Sequence, residues 1–280
     1  MTEDTASGAW FSEVDPENPN TAREVIEQGS ADKSADWPGQ AVDTGFAEDE
    51  DEYYSLLHDT TVNAAREAVR EQESADDQQL KHGIRAMDDC RRQANELAER
   101  IAEWAGSRGN AGTGIEHARE LAARDPGNPV DREVAALAGQ AVSLNEQADR
   151  LRSFVERSAT EVAPNLAALA GPVLAARLVS LAGGLESLAR KPSGTVQVLG
   201  AEDALFAHLR GEAPSPKHGV IYTHEYVRET PPAERGSAAR ALAGKLSIAA
   251  RVDHYSGERR PELAADLEER IERVRARGSE

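Results

Sequence analysis

The chain has 280 residues and 30.1 kDa, with only 4 % aromatic residues and a mean hydropathy of −0.59, which argues against one large core and for several smaller or elongated bodies. Fifty acidic residues against 32 basic ones give a formal charge of −18, and only five of the basic residues are lysine; that balance fits a halophilic protein, whose self-repulsion is screened by concentrated salt, better than an acidic protein of dilute cytoplasm. One cysteine, Cys90, excludes an internal disulfide framework and a multi-cysteine zinc site, and with no bilayer-length apolar run and no basic-plus-apolar leader in MTEDTASGAW the expected location is cytoplasmic.

Residues 1–58 carry a net charge of −13 and have the marks of a small α/β module. Residues 9–14 suggest a strand, Pro16 and Pro19 a loop, and Thr21 with Glu24 a capping box that opens a short helix. The acidic run 48–52 followed by Tyr53, Tyr54, Leu56 and Leu57 reads as a charged loop entering another helix. Trp10, Phe11, Trp37 and Phe46 are apolar residues on an acidic segment, suited to a core or to anchors at a contact. A module of this size is marginal alone and leans on a partner.

Residues 59–163, net −6, show helical periodicity. Leu80, Ile84, Met87, Cys90, Ala94, Leu97, Ile101 and Trp104 recur at spacings of three and four, and Val130, Val134, Leu137, Ala141, Leu144, Ala148, Leu151, Val155, Ser158 and Val162 alternate four and three throughout. Pro129 and Asp131 mark the start of the second helix, and a Gly-rich turn with its own short helix, 106–128, lets the two run antiparallel as a coiled-coil hairpin. Cys90 lies on the first stripe and reads as core. The small alanines bury little area, so a second copy is expected to cover the hairpin. Val134, Leu137, Leu144, Leu151 and Val155 are the candidate contacts of that homodimer.

From Pro164 the pattern gives way to a helix rich in alanine and leucine, apolar on most faces and hence buried in a globular domain, ended by Lys191-Pro-Ser-Gly194. Residues 195–199 read as extended chain, and Pro231-Pro232 opens a long helix over 233–255. Residues 164–199 carry +2, 200–257 carry zero and the charged helical tail 258–280 carries −1. Any contact with a polyanion therefore falls within 164–257.

The stretch APNLAALAGPVLAARLVSLAGGLESLARKPSGTVQVLGAEDALFAHLR, then KHGVIYTHEYV and RGSAARALAGKLSIAARVDHYSGE, resembles the Nop domain of archaeal box C/D small ribonucleoprotein scaffolds, densely over 164–257; IRAMDDCRRQANELAERIAEW is similar to the family's first long helix. The resemblance implies a mainly α protein in four parts: a shortened N-terminal methyltransferase-binding module at 1–58, a coiled-coil dimerisation hairpin at 59–163, an all-helical Nop domain at 164–257 and a tail at 258–280. It implies no catalysis. The domain would dock on kink-turn RNA of a box C/D guide together with a small ribosomal-type protein, while a fibrillarin-type methyltransferase, which itself binds S-adenosylmethionine, performs 2′-O-methylation of rRNA or tRNA.

The residue chemistry is consistent with that implication. Gly200-Ala201-Glu202 combines close backbone approach with one carboxylate, and Lys217 and His218 offer a cation and a planar ring to phosphate and an unstacked base. On the 233–255 helix and its entry, Arg235 and Lys245 are ten residues apart and can share a face; Arg240 and Arg251 rank lower, and Arg251 lies close enough to Asp253 to pair with it. Ala204, Leu205 and Phe206 would cap the guide–target duplex. Asp203 and Ala207 stand where the family usually has a lysine and an arginine, so two RNA-facing cations are missing. The shortened module makes methyltransferase binding, through Trp10, Phe11, Trp37 and Phe46, the least secure implication.

Enzymatic alternatives lack a constellation. Seven histidines are scattered without metal-ligand spacing, and the Gly109 to Gly114 stretch follows no convincing strand. The competing class is a coiled-coil adaptor without RNA, which accounts for 75–163 but not for the loss of acidity beyond it.

Overall fold

The computed structural model describes residues 9–12, 14, 25 and 35–277 and divides the chain into two units, Met1–Ala75 and Asp76–Glu280. In the first, α1 (Trp37–Asp43) is capped by the Asp36 carboxylate, which accepts from the Gly39 amide. Helix α2 (Glu50–Ser74) is capped by Asp49, which accepts from the Glu52 amide at 2.8 Å, and its three first-turn acids favour the positive helix end. Trp10, Phe11, Ala41, Ala47 and Tyr53 form a small core with Phe46, whose ring stacks on Phe11 at 5.1 Å; the Trp10 indole donates to the Tyr53 hydroxyl at 3.1 Å. The expected strand over 9–14 is not found: Trp10 to Ser12 form a turn closed by the Ser12 amide donating to the Ala9 carbonyl. No strand occurs among the described residues, and the Thr21–Glu24 box lies outside them. Helix α2 also runs through the expected boundary at 58, so the unit ends at Ala75.

In the second unit, α3 (Asp76–Gly106), α4 (Gly114–Ala122) and α5 (Pro129–Val162) build the hairpin. The N-cap of α5 is Asn128, which accepts from the amides of Val130 and Asp131 ahead of Pro129 and Asp131, the expected markers. At 34 residues α5 is about 50 Å long. The Arg108–Asp131 pair near the tip and the Arg91–Asp149 pair farther down set the two long helices antiparallel. The seam differs in detail from the periodic reading. On α3 it buries Leu80, Ile84, Met87, Ala94, Ala98, Ile101 and Ala105, while Cys90 is half-buried and Trp104 exposed. On α5 it buries Val134, Ala138, Ala141, Ala148, Val155 and Ala159. Leu137, Leu144 and Leu151 are displaced to the flank, half-buried, because alanine lets the helices approach too closely for leucine between them.

The apolar stretch after Pro164 is three helices rather than one: α6 (Pro164–Ala170), α7 (Pro172–Ala182) and α8 (Leu185–Arg190). Gly171 at φ 77° and Pro172 turn the chain by 117° between the first two. Helix α9 (Ser193–Val198) occupies the stretch expected to be extended; Pro192 starts it, and Val196, buried against the core, outweighs the β preference of Thr195 and Val198. Beyond it lie α10 (Glu202–Leu209), a 3₁₀ turn (Val220–Thr223), α11 (Glu225–Arg228) and α12 (Arg235–Tyr255). The tail is no separate appendage: in α13 (Glu262–Arg277), Leu263, Leu267, Ile271 and Val274 recur at helical spacing and join the core around Leu242 and Leu246 of α12. Asp253 of α12 ties the body to the hairpin root by accepting from the Asn165 amide (3.0 Å), the Asn165 side chain (2.6 Å) and the Leu166 amide (2.8 Å) at the start of α6.

Candidate nucleic-acid interface

The end of α9 and the chain entering the 3₁₀ turn are clasped side by side. The Gly219 amide donates to the Gln197 carbonyl at 2.8 Å, the Val220 amide to the Leu199 carbonyl at 2.7 Å, and the Gln197 side chain to the Lys217 carbonyl at 2.7 Å. A Cβ on Gly219 would sit 2.0 Å from the Leu199 oxygen, so only glycine permits the approach. Gly200, at φ 82°, turns the chain out into α10, and its amide donates to the Glu202 carboxylate at 2.8 Å.

This clasp presents a stacked group of side chains. The His218 ring lies on Tyr222 at 4.6 Å and 22°, and the Arg235 guanidinium stands 5.6 Å from the Tyr222 centroid. Arg235 is fixed by donating to the Thr230 carbonyl at 3.1 Å and the Arg228 carbonyl at 3.3 Å. The exposed Lys217 chain runs beside Gly236, where a Cβ would touch it at 3.8 Å. Burial, then the nearby Arg235 and Lys217 charges, push the His218 pKa below its ordinary value, so the ring is a neutral stacking surface near pH 7. Tyr222 escaped the sequence reading; its spacing of four from His218 was the available signal.

The other expected cations fall into separate environments. Arg240 is exposed on α12. Lys245, expected with Lys217 and His218 to rank above Arg240 and Arg251, donates to Asp266 of α13 at 2.7 Å with only 19 % of its side chain exposed, and so does not share the Arg235 surroundings. Arg251 donates to the carbonyls of Ala189 (3.1 Å) and Lys191 (3.3 Å), closing the end of α8. Asp253, the partner expected from the sequence, is not the one it meets, since that carboxylate accepts from Asn165 and Leu166 at α6. Helix α10 buries none of its residues: Ala201 and Leu205 are half-buried, Ala204 exposed and Phe206 57 % exposed, and Leu209, not anticipated, is 71 % exposed.

Of the candidate methyltransferase contacts, Trp10 and Phe11 are core residues, whereas Trp37 and Phe46 are half-buried. Of the candidate dimer contacts, Val134 and Val155 are likewise consumed within the chain, whereas Leu137, Leu144 and Leu151 are half-buried. Among the described residues no group of three or more His, Cys, Asp or Glu is arranged to hold a metal ion.

A long antiparallel hairpin rooted in an all-helical body defines a class of helical-hairpin fold, and a chain from the crystal structure of a fibrillarin/Nop5p complex has this fold: TM-score 0.52 at 23 % identity, covering 96 % of this chain and 99 % of that one. The family model described as Nop, snoRNA binding domain, fibrillarin, matches residues 114–275, over half the sequence, and the chain belongs to the Nop family. An uncharacterized NOP5 family protein of Methanocaldococcus jannaschii is 50 % identical over 132 residues, 47 % of this chain and 32 % of the relative. Human nucleolar protein 56 is 36 % identical over 139 residues, 50 % of this chain and 23 % of the relative. The matched stretch thus spans about a third of the archaeal relative and a quarter of the nucleolar one.

Proposed function

We propose that the chain is a non-catalytic, cytoplasmic scaffold of a box C/D guide ribonucleoprotein, which docks on kink-turn RNA with a small ribosomal-type protein and positions a fibrillarin-type methyltransferase for 2′-O-methylation of rRNA or tRNA. The carrying observation is the His218–Tyr222 stack flanked by Lys217 and Arg235, which lies in the family-matched region and in the part of the sequence that is not net acidic. A neutral ring pair between two cations suits an unstacked base with a phosphate on either side. Phe206 and Leu209 on the outstanding α10 suit an apolar cap on a duplex end. S-adenosylmethionine would belong to the methyltransferase alone.

Leu137, Leu144 and Leu151, seven residues apart and half-buried beside the seam of α5, with Leu137 and Leu151 packed in part on the hairpin's own core, support a homodimer through the hairpin. Light scattering of the Leu137→Ala/Leu144→Ala/Leu151→Ala chain should then give half the wild-type mass; a monomeric wild type would refute the dimer. For the RNA reading, a synthetic kink-turn RNA is titrated at molar salt with and without the ribosomal-type protein. A ternary complex weakened about ten-fold or more by His218→Ala is expected, and no ternary complex would sink the reading in favour of an adaptor without RNA.

A further inference from the structure

The last two helices enclose a second basic feature, most of whose arginines lie on α13, outside the clasp. Arg270, Arg273 and Arg277 follow one another at spacings of three and four along one side of α13. They line a cleft of about 300 Å³ with Ser237, Arg240 and Val274. Arg240, Arg270 and Arg277 have no hydrogen-bond or ion-pair partner among the described residues. Arg273 meets Glu269 at 3.7 Å in a largely exposed pair, which compensates little.

The surrounding acids do not neutralise this cleft. Asp266 is engaged by Lys245, and Glu268 and Glu272 lie on the side of α13 that faces Tyr226, opposite the arginine row, where Arg275 stands over the ring. Four guanidinium groups around one cleft repel each other. In a chain of charge −18, with acidic partners abundant for most arginines, such an arrangement indicates an anionic occupant.

We propose that Arg240, Arg270, Arg273 and Arg277 form a phosphate-binding cleft that grips the RNA backbone beyond the base-stacking clasp. The proposal rests on the RNA-docking reading above. Guanidinium forks match phosphate oxygens in pairs. The row from Arg270 to Arg277 is about 10 Å long, and a duplex strand presents a phosphate about every 3.4 Å of axis, so two or three successive phosphates fit it better than one free anion. Arg240 follows Arg235 of the clasp by five residues on α12, about 7.5 Å along the axis and about 140° around it, so a strand leaving the clasp would cross α12 to enter the cleft. That short path favours RNA, whose backbone can span both, over an acidic peptide.

The test uses the full chain with the ribosomal-type protein and a synthetic kink-turn RNA, over a salt series. The Arg270→Ala/Arg273→Ala/Arg277→Ala chain should bind at least ten-fold more weakly at 0.1 M salt. Its slope of log affinity against log salt should be shallower by about two, with an unchanged melting temperature because all three side chains are exposed. The triple lysine variant should recover the slope but not the full affinity. Wild-type binding with the same affinity and slope in the alanine chain overturns the cleft and leaves the clasp intact. Absence of any wild-type RNA binding overturns both, and equal arginine-dependent binding of poly-glutamate overturns the choice of RNA.

Discussion

The amino-terminal unit and the helical body use their aromatic residues in opposite ways. Six of the twelve lie within residues 1–58, and there Trp10, Phe11 and Tyr53 are buried against one another. In the second unit, Trp104, Phe154, Phe206, Tyr222, Tyr226 and Tyr255 are all half-buried or exposed, and the core is alanine, leucine and valine. Rings make the core of the first unit, whereas in the second they lie on the surface or, like Phe154, Tyr222 and Tyr226, at the margin of an aliphatic core. A body built from small side chains brings helices close and keeps its rings out of the interior, where one face can still meet something else.

The largest effect follows from removing a ring where it packs. Trp10→Ala deletes a side chain that touches Phe11, Phe46 and Tyr53 and should cost the first unit about 3–5 kcal/mol, read as the loss of its thermal transition. Kink-turn binding should survive; a variant that loses both would break the division of labour between the units.

Asp253→Ala makes the corresponding cut in the body without touching a ring. It strips three donors at the start of α6 of their acceptor and should cost about 3 kcal/mol. Calorimetry should show the body transition falling while the first unit's transition is unmoved.

Tyr222→Ala removes a ring at the margin of the body core, the one proposed to meet RNA with His218. Half-buried and stacked on His218, it should cost about 1 kcal/mol of stability yet weaken kink-turn binding at least ten-fold. A large stability loss with unchanged RNA affinity would move Tyr222 into the packing class.

How far these roles could be read in advance depended on the range of the interaction that fixes them. The hairpin, its short α4 and the α12 start were legible because periodicity and proline are local signals. The seam register was misjudged at Leu137, Leu144 and Leu151, since a heptad of leucines looks like an interior until Ala138 and Ala141 are seen to take that place. Chemistry and family likeness single out Lys217, His218 and Arg235 in the sequence. Their joining through Tyr222 depends on the Gly219–Leu199 approach, a backbone contact that no spacing encodes. Lys245 was overrated for a related reason: its partner Asp266 lies on α13, a helix whose acids and arginines nearly cancel in a charge count and so hid both the ion pair and the arginine row.

The smallest effect concerns pH and the histidine that is not on the surface stack. His224 caps α11, its Nδ1 accepting from the Tyr226 amide at 3.1 Å, while its Nε2 lies 3.0 Å from the Leu169 carbonyl and in that tautomer donates to it. Burial holds its pKa below the ordinary value, with the Leu169 contact and Glu225 pulling the other way. The folded body therefore binds fewer protons than the unfolded chain between the two pKa values. Its stability is full above the unfolded value of about 6.5 and falls as pH drops through the lowered folded one. Protonation also places a hydrogen on Nδ1 and abolishes the cap. Melting of the body should consequently fall between pH 7 and pH 5 in wild type and less so in His224→Gln, whose side chain does not titrate. His218 moves in the same direction from a more open site, so its contribution should be read separately in RNA affinity. Acid should add a positive charge to the stack and tighten phosphate binding while the body softens; if affinity and stability fall in parallel, the ring pair is packing after all.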